Sequence, residues 1–253
     1  EELGDAVPAL VQTIHSIYDG GRLFTAGYRL TNGLVDHMTI VSQAAADRFI
    51  REGIIPESML RVVPNGIDVD LFESVPPGRR ESLRRELGLG REFVWLAVGR
   101  FEPPKDYPTM LRGFALVRQQ HSDSVLLLVG RGSLQPDTEA LARELGLGGS
   151  VRFLGVRDDI PEIMSAADGY VMSSEWEGMP MVLLEAAGAA LPIVSTDVGG
   201  NGQVVQDQES GFLVPPSSAE ELAGAMLRLM RLRESERRTM GSRGRELVRS
   251  RYS

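Results

Sequence analysis

Two glutamates, Glu177 and Glu185, stand with seven residues between them in the stretch EWEGMPMVLLEAAGAALP, which runs from Glu175 to Pro192. Glu185 lies among Val182, Leu183, Leu184, Ala186 and Ala187. A helix apolar on every side is buried, and a carboxylate carried inside it needs partners. An arginine beside Glu185 would make a structural ion pair. A charge–dipole contact at a helix start would account for Glu177. Taken together at one strand end, the two acids point to a binding site in which they accept hydrogen bonds from hydroxyl groups. Pro180 suits the first position of the helix, where no hydrogen bond is asked of its nitrogen. The amides near Met179, Met181 and Val182 then face the strand ends unpaired, a setting that attracts anions, phosphate above all.

Carboxylates repel phosphate, so the cations must come from elsewhere. Arg100 and Lys105, in RFEPPKD, both follow the apolar run Phe93–Val98. Charge-assisted bonds from such groups to phosphate are worth about 1.5–3 kcal/mol each. Lys105 alone reads as a solvated loop residue; paired with Arg100 it makes a clamp. Arg131 and Arg157 read as rim charges or contacts to a base. Phosphates beside many hydroxyls describe a nucleotide sugar.

The elements that must hold these groups alternate regularly. Strands are expected over 93–98, 125–129, 151–154, 169–172, 192–195 and 212–214. Helices are expected over 108–120, 137–145, 160–167, 180–190 and 219–232, with a short one around Gln203. Continuous apolar strands between helices give a parallel sheet covered on both faces, and right-handed crossovers make it doubly wound. Ligands of such sheets bind at the carboxyl ends of the strands. Before residue 75 the pattern predicts strands over 9–14, ending at His15, and over 37–41 and 61–63. A helix over 44–52 between the last two is capped by Ser42. Three strands are few for an independent sheet. Val75-Pro76-Pro77-Gly78 reads as a linker. The domains expected are therefore a partial N-terminal domain (1–75), a doubly wound nucleotide-sugar-binding domain (76–235) and a C-terminal helix (236–253); the resemblance described below implies that the first is the acceptor side and the second the donor side.

Composition narrows the function. The 253 residues carry a net charge of −8, which argues against nonspecific nucleic-acid binding. Cysteine is absent, so neither disulfides nor thiolate metal sites can form. No apolar run approaches the ~18 residues of a membrane-spanning helix, and the start, EELGDAVP, is acidic rather than a secretion signal. A cytoplasmic protein is expected. The basic tail ERRTMGSRGRELVRSRYS reads as a solvated helix, or as one lying on anionic lipid at the inner membrane surface. Asp68-Val69-Asp70 has the acid-x-acid form of a metal site but follows a turn at a domain boundary, so linker acids are expected and no metal ligand is assigned.

The chain resembles the retaining GT-B glycosyltransferases of family 4. The matching elements are VVPNGID (62–68), VGRFEPPKDYPTMLRGF (98–114), LLLVGRG (126–132), VRFLGVRDDIPEIMSAADGYVMSS (151–174), EGMPMVLLEAAGAALPIVSTDVGG (177–200) and SGFLVPP (210–216). The resemblance implies an α/β, GT-B type fold: a doubly wound, Rossmann-like donor domain plus an incomplete Rossmann-like N-terminal domain. It also implies transfer of a sugar, with retention and without a metal or cofactor, from a UDP- or GDP-linked donor to a hydroxyl of a glycan, lipid or small molecule. The catalytic set it implies is Glu177, His15, Arg100 and Lys105, with Arg100 and Lys105 on the diphosphate and Glu177 on the sugar hydroxyls. His15 would face the sugar across the cleft. The donor-binding set is Glu185, on the ribose, with Gly178, Met179, Met181, Arg157 and Gly132. The leaving phosphate would take the acceptor's proton, so no separate base is assigned.

Two departures stand out. Gln203 occupies a position where an acid is common. The N-terminal domain begins late, on the order of 100 residues short of a usual one, so a partner or second copy completing its sheet is expected. The alternatives are a nucleotide-sugar epimerase of the same fold, or a donor-binding module that is inactive without the rest of the N-terminal domain.

Overall fold

The computed structural model describes residues 9–15 and 21–253. The first region contains β1 (Val11–Ile14), α1 (Arg22–Thr31), β2 (His37–Ile40), α2 (Gln43–Arg51) and β3 (Leu60–Val62). Its strands pair in parallel in the order β1-β2-β3. Met38 and Ile40 alternate inward from β2 and meet Ala45, Ala46 and Phe49 of α2. The Ser42 side chain caps α2 as expected, accepting from the Ala45 amide at 3.3 Å. Two short helices follow, α3 (Asp70–Glu73) and α4 (Arg79–Glu86).

The second region is built from β4 (Phe93–Val98), α5 (Tyr107–Gln120), β5 (Ser124–Val129), α6 (Gln135–Glu144), β6 (Val151–Gly155), α7 (Ile160–Ala166), β7 (Gly169–Met172), α8 (Met181–Gly188), β8 (Ile193–Thr196), α9 (Asn201–Val204), β9 (Gly211–Val214), α10 (Ala219–Arg231) and α11 (Glu234–Tyr252). Its six strands are parallel and run in the order β6-β5-β4-β7-β8-β9. Successive side chains of β4 enter opposite cores, Val94 and Leu96 on one face and Trp95 and Ala97 on the other. Helices therefore cover both faces, as the continuous apolar strands predict. Strand order reverses between β4 and β7, and a ligand crevice opens at the carboxyl ends of strands at such a reversal.

Several elements differ from expectation. Helix α8 is shorter at both ends than 180–190. Pro180 is the cap rather than the first helical residue, with ψ of 123°, and Ala190 leaves the helix at a φ of +55°. Helix α4 was not foreseen, because RRESLRRE buries only Leu83. Arginines anchor it instead: Arg80 and Arg84 reach Asp168 at 2.6 and 3.1 Å. The C-terminal helix starts at Glu234 and is not solvated all round. Met240, Gly241, Gly244, Leu247, Val248 and Tyr252 are buried, and its chain end accepts a hydrogen bond from the Ile67 amide at 2.7 Å. Among the described residues no helix is long and apolar enough to cross a membrane.

Candidate functional site

The loops after β4 and β7 face each other across the reversal point. The β4 loop is held close to the β5 loop by two glycines. A Cβ on Gly130 would sit 2.0 Å from the Gly99 carbonyl oxygen, and one on Gly132 would sit 2.4 Å from that of Phe101. Gly132 therefore has a packing reason of its own, independent of any ligand. Beyond Phe101, a short 3-10 turn brings Lys105 round to Asp106, which has a φ of +43° and caps α5 by accepting from the Thr109 amide at 3.2 Å. Ser173 Oγ lies 2.7 Å from the Lys105 carbonyl oxygen and 2.9 Å from that of Asp106, tying this turn to the end of β7.

The turn aims Lys105 across the crevice, with its Nζ 2.6 Å from Glu177 Oε1. The two side chains are 18% and 13% exposed, so the pair is only partly screened by water. Ser174 Oγ donates to the same oxygen at 2.8 Å. The main chain around Glu177 is equally confined. A Cβ on Gly199 would lie 1.9 Å from the Glu177 carbonyl oxygen, and the Gly200 amide donates to the Gly178 carbonyl at 2.7 Å. Gly178 also abuts the first region: a Cβ there would lie 2.1 Å from the His15 carbonyl oxygen. His15 is thus brought to this loop at the end of β1, with its residue exposed. Asn65 Nδ2 donates to the Met179 carbonyl at 2.8 Å, a second tie between the regions.

Helix α8 begins here without a side-chain cap, so its first backbone N–H groups have no side-chain acceptor and are available to a ligand or water. Met181 is 40% exposed, whereas Met179 is a core side chain, 4% exposed, that can offer only its backbone. Glu185 has no arginine: among the described residues nothing bonds to its carboxyl, and burial alone pushes its pKa up. The structural ion pair considered for it does not form. A half-buried carboxyl without a partner is costly, and its unspent oxygens suit hydroxyl donors from a ligand.

Arg100 is exposed on the β4 loop, and its charge helps to lower the Glu102 carboxyl, whose main restraint is Ser133. Arg157, expected to contact the base, is paired here with both Asp159 oxygens at 2.8 and 2.6 Å. Asp68 accepts from the Asp70 amide, and Asp70 pairs with Arg249 at 3.1 Å. Among the described residues no group of three or more His, Asp or Glu gathers as a metal site. The sequence marks Ser173, Ser174 and Asn65 as following strands but assigns them no role in the site. The two serines at the end of β7 were the available signal.

A family model described as "Glycosyl transferases group 1" matches residues 79–247, and one described as "Glycosyltransferase Family 4" matches residues 5–71. A galactosyltransferase of Escherichia coli, which transfers from UDP-Gal to GlcNAc-diphosphoundecaprenol, is 32% identical over 185 residues, covering 71% of this chain and 47% of its own. The GDP-mannose-dependent alpha-(1-6)-phosphatidylinositol monomannoside mannosyltransferase of Mycobacterium tuberculosis is 29% identical over 222 residues, covering 84% and 57%. The chain spans about half the length of the curated relatives it matches. Among solved structures, Anabaena HepE in complex with UDP superposes with a TM-score of 0.88 at 27% identity, covering 97% of this chain and 68% of that one. Sucrose-phosphate synthase from Thermosynechococcus elongatus does so with a TM-score of 0.83 at 27% identity, covering 96% and 63%.

Proposed function

The chain belongs to the glycosyl transferases group 1 family, and from that premise we propose that it carries the donor site of an enzyme moving a sugar from a nucleoside diphosphate sugar to an acceptor hydroxyl. The observation that carries this reading is the Lys105–Glu177 pair, which spans the reversal between β4 and β7 beside the uncapped start of α8 and the partnerless Glu185. The ion pair resolves a conflict of charge. A lone carboxylate would repel a diphosphate, but one neutralised by Lys105 can sit next to it and still accept from sugar hydroxyls. Arg100 and Lys105 face the diphosphate, with the first amides of α8 behind it. Glu185 takes the ribose hydroxyls, and His15 approaches the sugar from the first region.

In the reaction the bond from sugar C1 to the phosphate oxygen breaks, and the acceptor oxygen bonds to C1 on the same face. The acceptor's proton passes to the departing phosphate, whose growing charge Arg100 and Lys105 offset. These two cations support a transfer that needs neither metal nor cofactor, to be checked as activity that survives a chelator. The relatives reported above are transferases or synthases, which favours transfer over epimerisation. Their names include both UDP- and GDP-linked donors and lipid-linked acceptors. Of the six arginines of α11, three are in ion pairs, Arg238 with Glu234, Arg245 with Glu73, and Arg249 with Asp70 and Glu73.

Thermal shift with UDP, GDP, UDP-glucose and GDP-mannose tests the reading. A ligand at a hundred times its Kd stabilises the fold by about 2.7 kcal/mol, and Arg100→Ala weakens that response. No shift with any of the four overturns it.

A further inference from the structure

Five polar residues lie beneath the two acids, at the carboxyl ends of β7 and β8 and at the start of α9: Ser173, Ser174, Ser195, Thr196 and Asn201. Each is fully buried. Buried polar groups are costly unless they are bonded, and most of these are linked in one chain. Asn201 Nδ2 donates to Ser195 Oγ at 3.0 Å and to the Thr196 carbonyl at 2.9 Å. Thr196 Oγ1 donates to the Ser174 carbonyl at 2.6 Å. Ser174 Oγ then donates to Glu177 Oε1 at 2.8 Å, the oxygen that also receives Lys105 Nζ at 2.6 Å.

The chain therefore ends on a single oxygen. Among the described residues no hydrogen bond reaches Glu177 Oε2. With two donors on Oε1, one of them charged, the carboxylate cannot rotate without losing both bonds. The neighbouring serine shows the contrast: Ser173 spends its hydroxyl on backbone carbonyls, as a residue that only closes a strand end would. Ser174 spends its own on a side chain that faces the crevice.

We propose that Ser174 is a positioning residue that fixes the Glu177 carboxylate so that Oε2 is presented to a hydroxyl of the donor sugar. This rests on the donor reading above and adds the atom that reads the sugar and the residue that aims it.

The test compares affinities for UDP and UDP-glucose, with GDP and GDP-mannose in parallel, by titration calorimetry. Ser174→Ala leaves nucleoside diphosphate affinity within about twofold and lowers nucleotide-sugar affinity about tenfold, the loss of one hydrogen bond to a charged group. In a Glu177→Gln background the same substitution changes the ratio by less than about twofold, because the group it positions has been altered. Should Ser174→Ala not fold, Thr196→Val decides by lowering the ratio in the same direction to a smaller degree. An unchanged ratio in the variant that folds, or an equal effect with and without Glu177, overturns the positioning role alone. A wild-type chain that binds none of the four nucleotides overturns the donor reading and this proposal with it.

Discussion

The two parallel sheets meet water differently. The six-stranded sheet has a core on each face, and β5 is buried along its whole length. Among the described residues the three-stranded sheet has one core, in which Ile14, Met38, Ile40 and Leu60 pack with Phe49, while Val11 at one strand start is 52% exposed. Parallel sheets are ordinarily covered on both sides; among the described residues the small sheet packs on one. The chemistry follows the support. Lys105, Glu177 and Glu185 all sit on the doubly covered sheet, where the strands fix the loops that carry them. The small sheet offers the His15 strand end, Asn65 and the start of α2, which are contacts to a site rather than a site.

The largest effect expected from this contrast is on stability. Phe49 is fully buried and stacks edge-on against Tyr28 at 5.8 Å. Phe49→Ala costs about 3–5 kcal/mol, a large share of what so small a core can supply. Hydrogen exchange at β2 then rises steeply, while the fluorescence transition of Trp95, buried in the larger sheet, moves little. Loss of both together would show one cooperative unit and break the comparison.

Next in size is a change confined to the larger sheet. Glu177→Ala lowers nucleotide-sugar turnover about a hundredfold or more, the usual scale for removing a preorganised polar group at a reacting centre. Nucleoside diphosphate affinity stays within a few-fold. Turnover equal to wild type would remove Glu177 from the site.

The larger sheet was also the more legible one. FVWLAV and VLLLV are short, continuous apolar runs between turn residues and read as strands buried on both faces, and the apolar run after Pro180 announces a buried helix. Lys105 and Glu177 were legible because both follow such strands. What escaped were features fixed by distant partners. Helix α4 has no apolar stripe and is held through Arg80 and Arg84 by Asp168, more than eighty residues away. The pairing of Arg157 was not legible, because nothing in its spacing says that Asp159 will turn back onto it. Gly132 looked like a ligand glycine, yet the constraint on it is the Phe101 backbone. Local pattern specifies an element and the loop that follows it, but not which of two polar neighbours a side chain will choose.

Glu185 sharpens the contrast further, because its two expected effects have opposite signs. Burial raises its folded pKa above the ordinary value of 4.5. The fold thus favours the protonated form: that contribution is fully present below the unfolded pKa and is lost as pH rises through the raised folded value. Glu185→Gln therefore raises Tm near neutral pH, and the gain disappears in acid below the unfolded value. Binding runs the other way. Ribose hydroxyls donate best to the ionised carboxylate, so wild-type nucleotide affinity increases with pH across the raised pKa. The variant is pH-independent there and about tenfold weaker, the scale of one bond to a charged acceptor. A variant that is neither stabilised at neutral pH nor weakened in binding would remove Glu185 from the crevice.

The smallest effect lies where the two sheets touch. Gln203 Oε1 accepts from the amide of Gln43, the first residue of α2, at 3.1 Å. Close by, a Cβ on Gly200 would meet that of Ser42 at 3.0 Å. A neutral amide oxygen thus occupies the positive end of a helix belonging to the less supported region. Gln203→Glu places a full negative charge there, worth about 0.3–1 kcal/mol at a helix start. The benefit goes to the three-stranded region, so hydrogen exchange at β2 slows while the Trp95 transition is unchanged. Salt weakens the gain, because the contact is exposed. Gln203→Ala, lacking any acceptor, moves exchange in the opposite direction. If glutamate and alanine shift β2 exchange alike, the contact does not couple the two sheets.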